Sequence, residues 1–137
     1  MLRAMSSYVY IKRRLHPGLL ESLVRGGAQA IELFAARGHF NYDDKEHVRE
    51  LGNWFRSEKI EFHSMHSPIY MSNDFRSGGP MVNIVDPDKR MRIEAMDEIK
   101  RAIEVAVRGE HFNGLGPAAH QVVQQAGMQP ALDVDVS

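Results

Sequence analysis

Polar and apolar residues follow two rhythms along the chain, and each rhythm predicts an element. Tyr8-Val9-Tyr10-Ile11 is a short β-branched and aromatic run, which predicts a first strand. His16-Pro17 then opens a helix, with Pro17 at the first helical position, where its missing N–H costs nothing. Leu19, Leu20, Leu23 and Val24 supply an apolar stripe at helical spacing, and Gly26-Gly27 stops it. Ala30-Ile31-Glu32-Leu33-Phe34 predicts a second strand. Its nearly continuous apolar character suits a parallel strand covered on both faces, with Glu32 as the exception.

Asp43 and Glu46 are spaced like the two ends of a capping box, predicting a helix from about Asp44. Val48, Leu51 and Phe55 share one face of it, with Trp54 nearby. The third strand is expected at Ile60-Glu61-Phe62-His63-Ser64-Met65-His66. A long segment rich in Gly, Ser, Pro and Asn follows, from Ser67 to Val85. Asp86-Pro87 then caps and starts the strongest helix, about Pro87 to Val107, whose expected inner face carries Ile93, Met96, Ile99, Ile103 and Ala106. Asp97 and Arg101 are placed for an outer i,i+4 pair. Repeated strand–helix alternation implies an α/β fold with a parallel sheet and right-handed crossovers. Ligands in such folds bind at the C-terminal ends of the strands, so Lys12 to His16, Ala35 to Tyr42 and His66 to Asn83 fall on one rim.

Charge narrows the chemistry. Seventeen Lys and Arg against eighteen Asp and Glu leave a formal charge of −1. That balance argues against a chain held mainly by nucleic-acid phosphates or anionic lipid, so neither a nucleic-acid nor a membrane partner is expected. There is no cysteine, which excludes disulfides, thiolate metal sites and a cysteine nucleophile. The first 14 residues lack the apolar core of a secretory signal, so a cytoplasmic protein is expected. Composition also changes near Val107. Four charged residues (Arg108, Glu110, Asp133 and Asp135) and four of the five glutamines occupy 108–137, which reads as an atypical C-terminal tail.

Three groups could carry chemistry. His66 ends the third strand, where a neutral imidazole can bind a divalent metal or act as acid or base; equally, it can be a hydrogen-bonded strand-end histidine. Strand alternation places Phe62, Ser64 and His66 on one face and Glu61, His63 and Met65 on the other, so the two histidines should diverge. Glu32, inside an apolar strand, must be hydrogen-bonded, protonated or paired, with Lys12 or His63 as partners in reach. Lys12, Arg13 and Arg14 can hold an anionic substrate or form a solvated face, and Arg37 and His39 carry the same two readings. Gly78-Gly79-Pro80 lacks phosphate-loop spacing and reads as a hinge.

Taken in order, Gly26-Gly27-Ala28-Gln29-Ala30-Ile31-Glu32-Leu33, then His66-Ser67-Pro68-Ile69-Tyr70, then Asn83-Ile84 with Arg92 and a long amphipathic helix, resemble the xylose isomerase-like TIM-barrel superfamily. This group includes sugar phosphate isomerases/epimerases and endonuclease IV-type AP endonucleases. The resemblance spans about Ser6 to Ala106 and implies the N-terminal βα units of a (β/α) barrel over residues 1–107. It further implies a divalent metal (manganese, zinc, magnesium or cobalt), no organic cofactor and a small carbohydrate substrate. By resemblance, Glu32 and His66 are the catalytic pair, with His66 also a metal ligand. Pro68, Tyr70 and Asn83 match the family's loop, and Tyr70 and Asn83, with Lys12 and Arg37 from their charge and place on the rim, are the expected substrate contacts. In the isomerases the chemistry is proton transfer next to a sugar carbonyl; in the endonuclease-like members it is zinc-dependent phosphodiester cleavage, which the near-neutral charge disfavours here.

The family continues with further βα units that supply most of its metal ligands, whereas Arg108 to Ser137 shows no such strand. The expectation is therefore a barrel truncated after about three units, either an isomerase with an incomplete site or a non-catalytic remnant or assembly subunit. A third strand with no neighbour should then expose Phe62 or Met65 and favour a homo-oligomer through the open edge, unless a tail strand at 131–136 covers it. The tail is also expected to turn helical from about Ala118 to Ala126.

Overall fold

The computed structural model describes residues 1–71 and 79–108. It is an α/β structure whose parallel sheet, in the order β1-β2-β3, is built from Ala4–Ser6, Ala30–Phe34 and Glu61–His66. Helix α1 (Pro17–Arg25) links β1 to β2, α2 (Lys45–Glu58) links β2 to β3, and α3 (Lys89–Arg108) follows β3. Strand order equal to chain order means that successive right-handed crossovers deposit their helices on the same side. The core reflects this: Leu19, Leu20 and Leu23 of α1, Val48, Leu51 and Phe55 of α2, and Ala102 and Ala106 of α3 form one buried cluster with Ile31, Leu33 and Phe62. Full burial of each such Leu or Phe contributes roughly 1.5–3 kcal/mol.

The helix termini follow local chemistry. His16 Nδ1 accepts from the Gly18 N–H at 3.1 Å, capping α1 just ahead of Pro17. Gly27, with φ +103°, makes the left-handed exit to β2 that a side chain would strain. The cap of α2 is Asp44, one residue later than the Asp43 box expected, and its Oδ1 accepts from the N–H groups of Glu46 and His47 at 3.0 and 3.2 Å. Helix α3 begins at Lys89, after Asp88 Oδ1 accepts from the Arg90 N–H at 2.8 Å. Asp86-Pro87 precedes it.

Three further expectations are corrected. The first strand is Ala4–Ser6, while Tyr8-Val9-Tyr10 lies in a 3-10 helix over Ser7–Tyr10. Ser6 starts that turn by accepting the Tyr8 N–H on its hydroxyl, at 3.1 Å. Phe62 is fully buried beneath the helices rather than exposed, and Met65 packs against the same core. Helix α3 turns inward a face that shares only Ala106 with the expected one: Ala95, Glu98, Ala102 and Ala106 are buried, while Ile93 and Met96 remain 49% and 46% exposed. The two stripes lie about a quarter-turn apart around the axis. The alanine stripe wins because small side chains bring the helix close to the sheet and because Glu98 finds a cation there. Arg101 accordingly pairs with Glu98 at 3.2 Å, not with Asp97.

After β3, the segment Ile69–Met71 runs antiparallel to Pro80–Val82. The Met71 N–H donates to Pro80 O at 3.0 Å and the Val82 N–H to Ile69 O at 2.9 Å. No helix among the described residues is long and apolar enough to cross a membrane. The expected tail elements at 118–126 and 131–136, and Gly78 of the expected hinge, lie outside the described residues.

Candidate functional site

Because the helices share one face of the sheet, the other face is the place to look for chemistry. Register decides what stands there. Ser6 pairs with Glu32, and Ile31 pairs with Phe62, but Glu32 pairs with Ser64. One extra residue, His63, is therefore accommodated as a bulge in β3, and alternation restarts beyond it. Phe62 and Met65 face the helices; Ser64 and His66 share the opposite face with Glu32 and Phe34. The alternation expected from sequence placed Ser64 and His66 together but wrongly added Phe62 to them.

Glu32 sits half-buried in the middle strand of this face, and its Oε2 accepts the Ser64 hydroxyl at 3.0 Å. His63 Nδ1 lies 3.1 Å from the same Ser64 oxygen. The bulge thus brings His63 to Glu32 through one hydroxyl, where simple alternation would have sent it to the far side. Two residues further along, the His66 ring stacks on Phe34 with centroids 4.3 Å apart, and Tyr8 packs on Phe34 at 5.0 Å. His66 Nδ1 donates to Ser67 O at 2.8 Å, which leaves Nε2 of the neutral ring as an exposed acceptor. Glu32 and His66 are one strand repeat apart, about 7 Å along the sheet. The face therefore presents a carboxylate, a hydroxyl and imidazoles at the C-terminal end of the strands, with Phe34 buried against His66 and the exposed Tyr8 ring.

The remaining expected site residues lie elsewhere. Arg37 is drawn into an ion-pair knot beneath the rim. Its Nε and Nη2 donate to the two carboxylate oxygens of Glu98 at 2.6 and 2.9 Å, and Nη2 pairs with Asp43 at 2.7 Å. The Tyr42 hydroxyl and Arg101 also donate to Glu98, so four donors satisfy a carboxylate whose side chain is 3% exposed. Burial pushes the Glu98 carboxyl upward, but the bonds from Arg37 and Tyr42 outweigh it and hold the group below its ordinary value. Burial and the same carboxylate raise the Tyr42 phenol, and Glu98 raises Arg37 further above its already high value. This knot ties α3 to the β2–α2 loop, and Arg37 does not stand on the Glu32 face.

Asn83 is turned toward its own backbone, its Oδ1 accepting the Val85 N–H at 3.1 Å. Tyr70 is half-buried in the antiparallel bridge to Met81. Lys12 lies exposed on the loop after the 3-10 helix.

Two histidines of the rim are structural. His39, fully buried, donates from Nδ1 to Arg13 O at 2.7 Å and accepts the Ser7 hydroxyl on Nε2 at 2.9 Å, while Ser7 Oγ accepts the Phe34 N–H. His47 donates from Nε2 to Leu15 O at 2.7 Å and accepts the Asn41 N–H on Nδ1 at 3.2 Å. Each ring uses one nitrogen as donor and the other as acceptor, an arrangement only neutral imidazole can hold. Burial pushes both below the ordinary histidine value.

The donor set bears on the metal that the resemblance implies. Glu32 and His66 supply two ligands, and no group of three His, Asp or Glu placed to hold a metal occurs among the described residues. Zinc in a catalytic site takes three protein ligands. Glu32 and His66 alone do not complete a zinc site of that kind.

No family model matches this chain, and neither does any curated protein or solved structure. The residues that sequence reasoning passed over are Ser64, Phe34 and Tyr8; His63 was named as a partner for Glu32, and it reaches that carboxylate through Ser64. Ser64 between two histidines was the available signal; the bulge that makes it matter depends on pairing with β2 and leaves no mark in spacing.

Proposed function

We propose that the three βα units are the opening units of a xylose isomerase-like barrel, and that the helix-free face binds a small carbohydrate or sugar-like carbonyl compound. Glu32 is the acid–base group for proton transfer at the carbon beside the carbonyl, and His66 contributes its Nε2 and its stacked ring to binding. The observation that carries this reading is the shared placement of Glu32, Ser64 and His66 on the sheet face opposite the helices. Three features support it: strand order and helix placement that suit a closing barrel, a carboxylate held ready by one hydroxyl, and the exposed Tyr8 and His66 rings, against which the apolar face of a sugar ring can lie. In such a site Glu32 takes the proton from carbon and returns it to the neighbouring carbon, while polar neighbours hold the carbonyl in reach.

The test is a two-dimensional NMR titration of the full chain with aldoses, ketoses and their phosphates, with and without Mn²⁺. The expected result is sugar-dependent shifts at Glu32, Ser64 and His66, with affinity reduced at least about tenfold in Glu32→Gln, as for loss of one charged hydrogen bond. No shift at these residues with any sugar would overturn the reading.

One observation favours a second reading, a non-catalytic assembly subunit of the same fold. Ile93 and Met96 on α3 lie exposed together with Met81, Ile84 and Val85 on the segment leading to it. Light scattering across a concentration series checks this; a concentration-independent monomer would remove it.

A further inference from the structure

The bulge at His63 creates a connection that the proposed site does not by itself require. Ser64 has one hydroxyl hydrogen, and it points to Glu32 Oε2. The contact between Ser64 Oγ and His63 Nδ1, at 3.1 Å, must then be donated by the histidine. His63 is thereby committed to the Nδ1–H form, the opposite of the form that His47 adopts in the core. The order of donation runs one way: imidazole to hydroxyl to carboxylate.

We infer that His63 and Ser64 form a proton relay to Glu32, making His63 a positioning residue that reloads the carboxylate. The inference rests on Glu32 being the acid–base group of the proposed site. In the forward direction His63 Nε2 takes a proton from a hydronium or buffer acid, and Nδ1 gives its proton to Ser64 Oγ. Ser64 in turn passes its own hydrogen to Glu32. The imidazole ends neutral as the Nε2–H form, the hydroxyl is unchanged, and the carboxylate has become the carboxylic acid. The reverse sequence empties Glu32 again. With a bound sugar shielding the half-buried carboxylate from bulk water, the relay gives Glu32 a second way to gain or lose its proton besides returning it to the substrate. The register shift agrees with the assignment: the extra residue in β3 is His63 itself, set beside the hydroxyl that bonds Glu32.

The experiment is long-range ¹H–¹⁵N correlation of the histidine rings in the full chain, at a pH where the rings are neutral. His63 is expected to show the Nδ1–H pattern. In Ser64→Ala the ratio of Nδ1–H to Nε2–H should fall at least about tenfold, the loss of one hydrogen bond in a charge-assisted chain. Ser64→Thr, which keeps the hydroxyl, should restore it. His39 and His47 report folding in the same spectra, because their tautomers are set by Arg13 O and Leu15 O and should not change. An unchanged His63 ratio in Ser64→Ala, with His39 and His47 intact, would overturn the relay, as would failure of Ser64→Thr to restore it. A normal tautomer response without any sugar-dependent shift would strike the binding reading alone and leave the wiring in place.

Discussion

On the helix-covered face of the sheet, and in the rim loops packed against it, the buried carboxylate and imidazoles are saturated, while the Trp54 indole N–H lies buried without a hydrogen-bond partner. Glu98 has four donors, and the rings of His39 and His47 each spend both nitrogens. On the open face Glu32 accepts the Ser64 hydroxyl, Ser64 joins two neighbours in a line, and His66 turns Nε2 outward. The saturated groups lock loops to helices: α3 to the β2–α2 loop through Arg37, and the loop after β1 to both the β2–α2 loop and α2 through the two histidines. The sparsely bonded groups join only β2 to β3, which the sheet ladder already holds together. Proteins invest buried polar groups in architecture only when every partner is present, because a missing one costs the full desolvation of the other. Groups left with capacity to spare are where a ligand can add the missing bonds.

Substitutions can break this contrast, beginning where the loss should be greatest. Arg37→Ala strands the Glu98 carboxylate beneath the rim and should cost about 3–5 kcal/mol in urea unfolding, with Arg37→Lys intermediate. A loss under about 1 kcal/mol would mean that Arg101 and Tyr42 suffice and that the knot is not central.

Acid should act next, through His39 and His47. Above the ordinary histidine value of 6.5 both rings are neutral in the folded and unfolded chain, and they give no pH dependence. Below it the unfolded chain takes up protons that the folded chain refuses, so stability falls as pH drops toward the depressed folded values. The slope approaches roughly 1.4 kcal/mol per pH unit for each histidine. Urea midpoints at pH 7.5, 6.5 and 5.5 measure it, and a flat profile would contradict the neutral assignment. Asp44→Ala removes the α2 cap and should cost about 1 kcal/mol. Little of that comes from the exposed ion pair with Arg14 at 2.9 Å. Smallest of all, Ser64→Ala should change stability by no more than about 0.5 kcal/mol. A drop comparable to the Arg37 variant would erase the distinction between the faces.

Much of the saturated half was legible in the sequence wherever a local pattern suffices. Strands β2 and β3, helix α1 with its Pro17 start, and the buried Val48-Leu51-Phe55 stripe all follow from spacing. What escaped is non-local. Tyr8-Val9-Tyr10-Ile11 has strand composition, yet the strand that pairs with β2 is the plain Ala4–Ser6, chosen by backbone bonds that composition does not encode. The inward face of α3 was misread because Ile and Met mark the larger apolar stripe, while the winning alanine stripe depends on Arg37, far away in sequence. Glu32 and His66 stood out as candidates because a carboxylate in an apolar strand and a histidine at a strand end are locally odd, and the structure sets them on one sheet face. Ser64 and the true direction of His63 were not, since both follow from a register shift between two strands.

That shift has a consequence for how the strand tolerates change in length. Deleting His63 would leave Phe62, Ser64, Met65 and His66 opposite Ile31, Glu32, Leu33 and Phe34 in an unbroken ladder, with every side chain still on its present face. Inserting a residue at the same place would instead demand a second irregularity or turn Ser64 and His66 under the helices. The third strand therefore carries one spare residue. A single-codon loss there is expected to preserve the fold and remove only the imidazole beside Ser64, so a lineage could gain or lose that group without rebuilding the sheet around it.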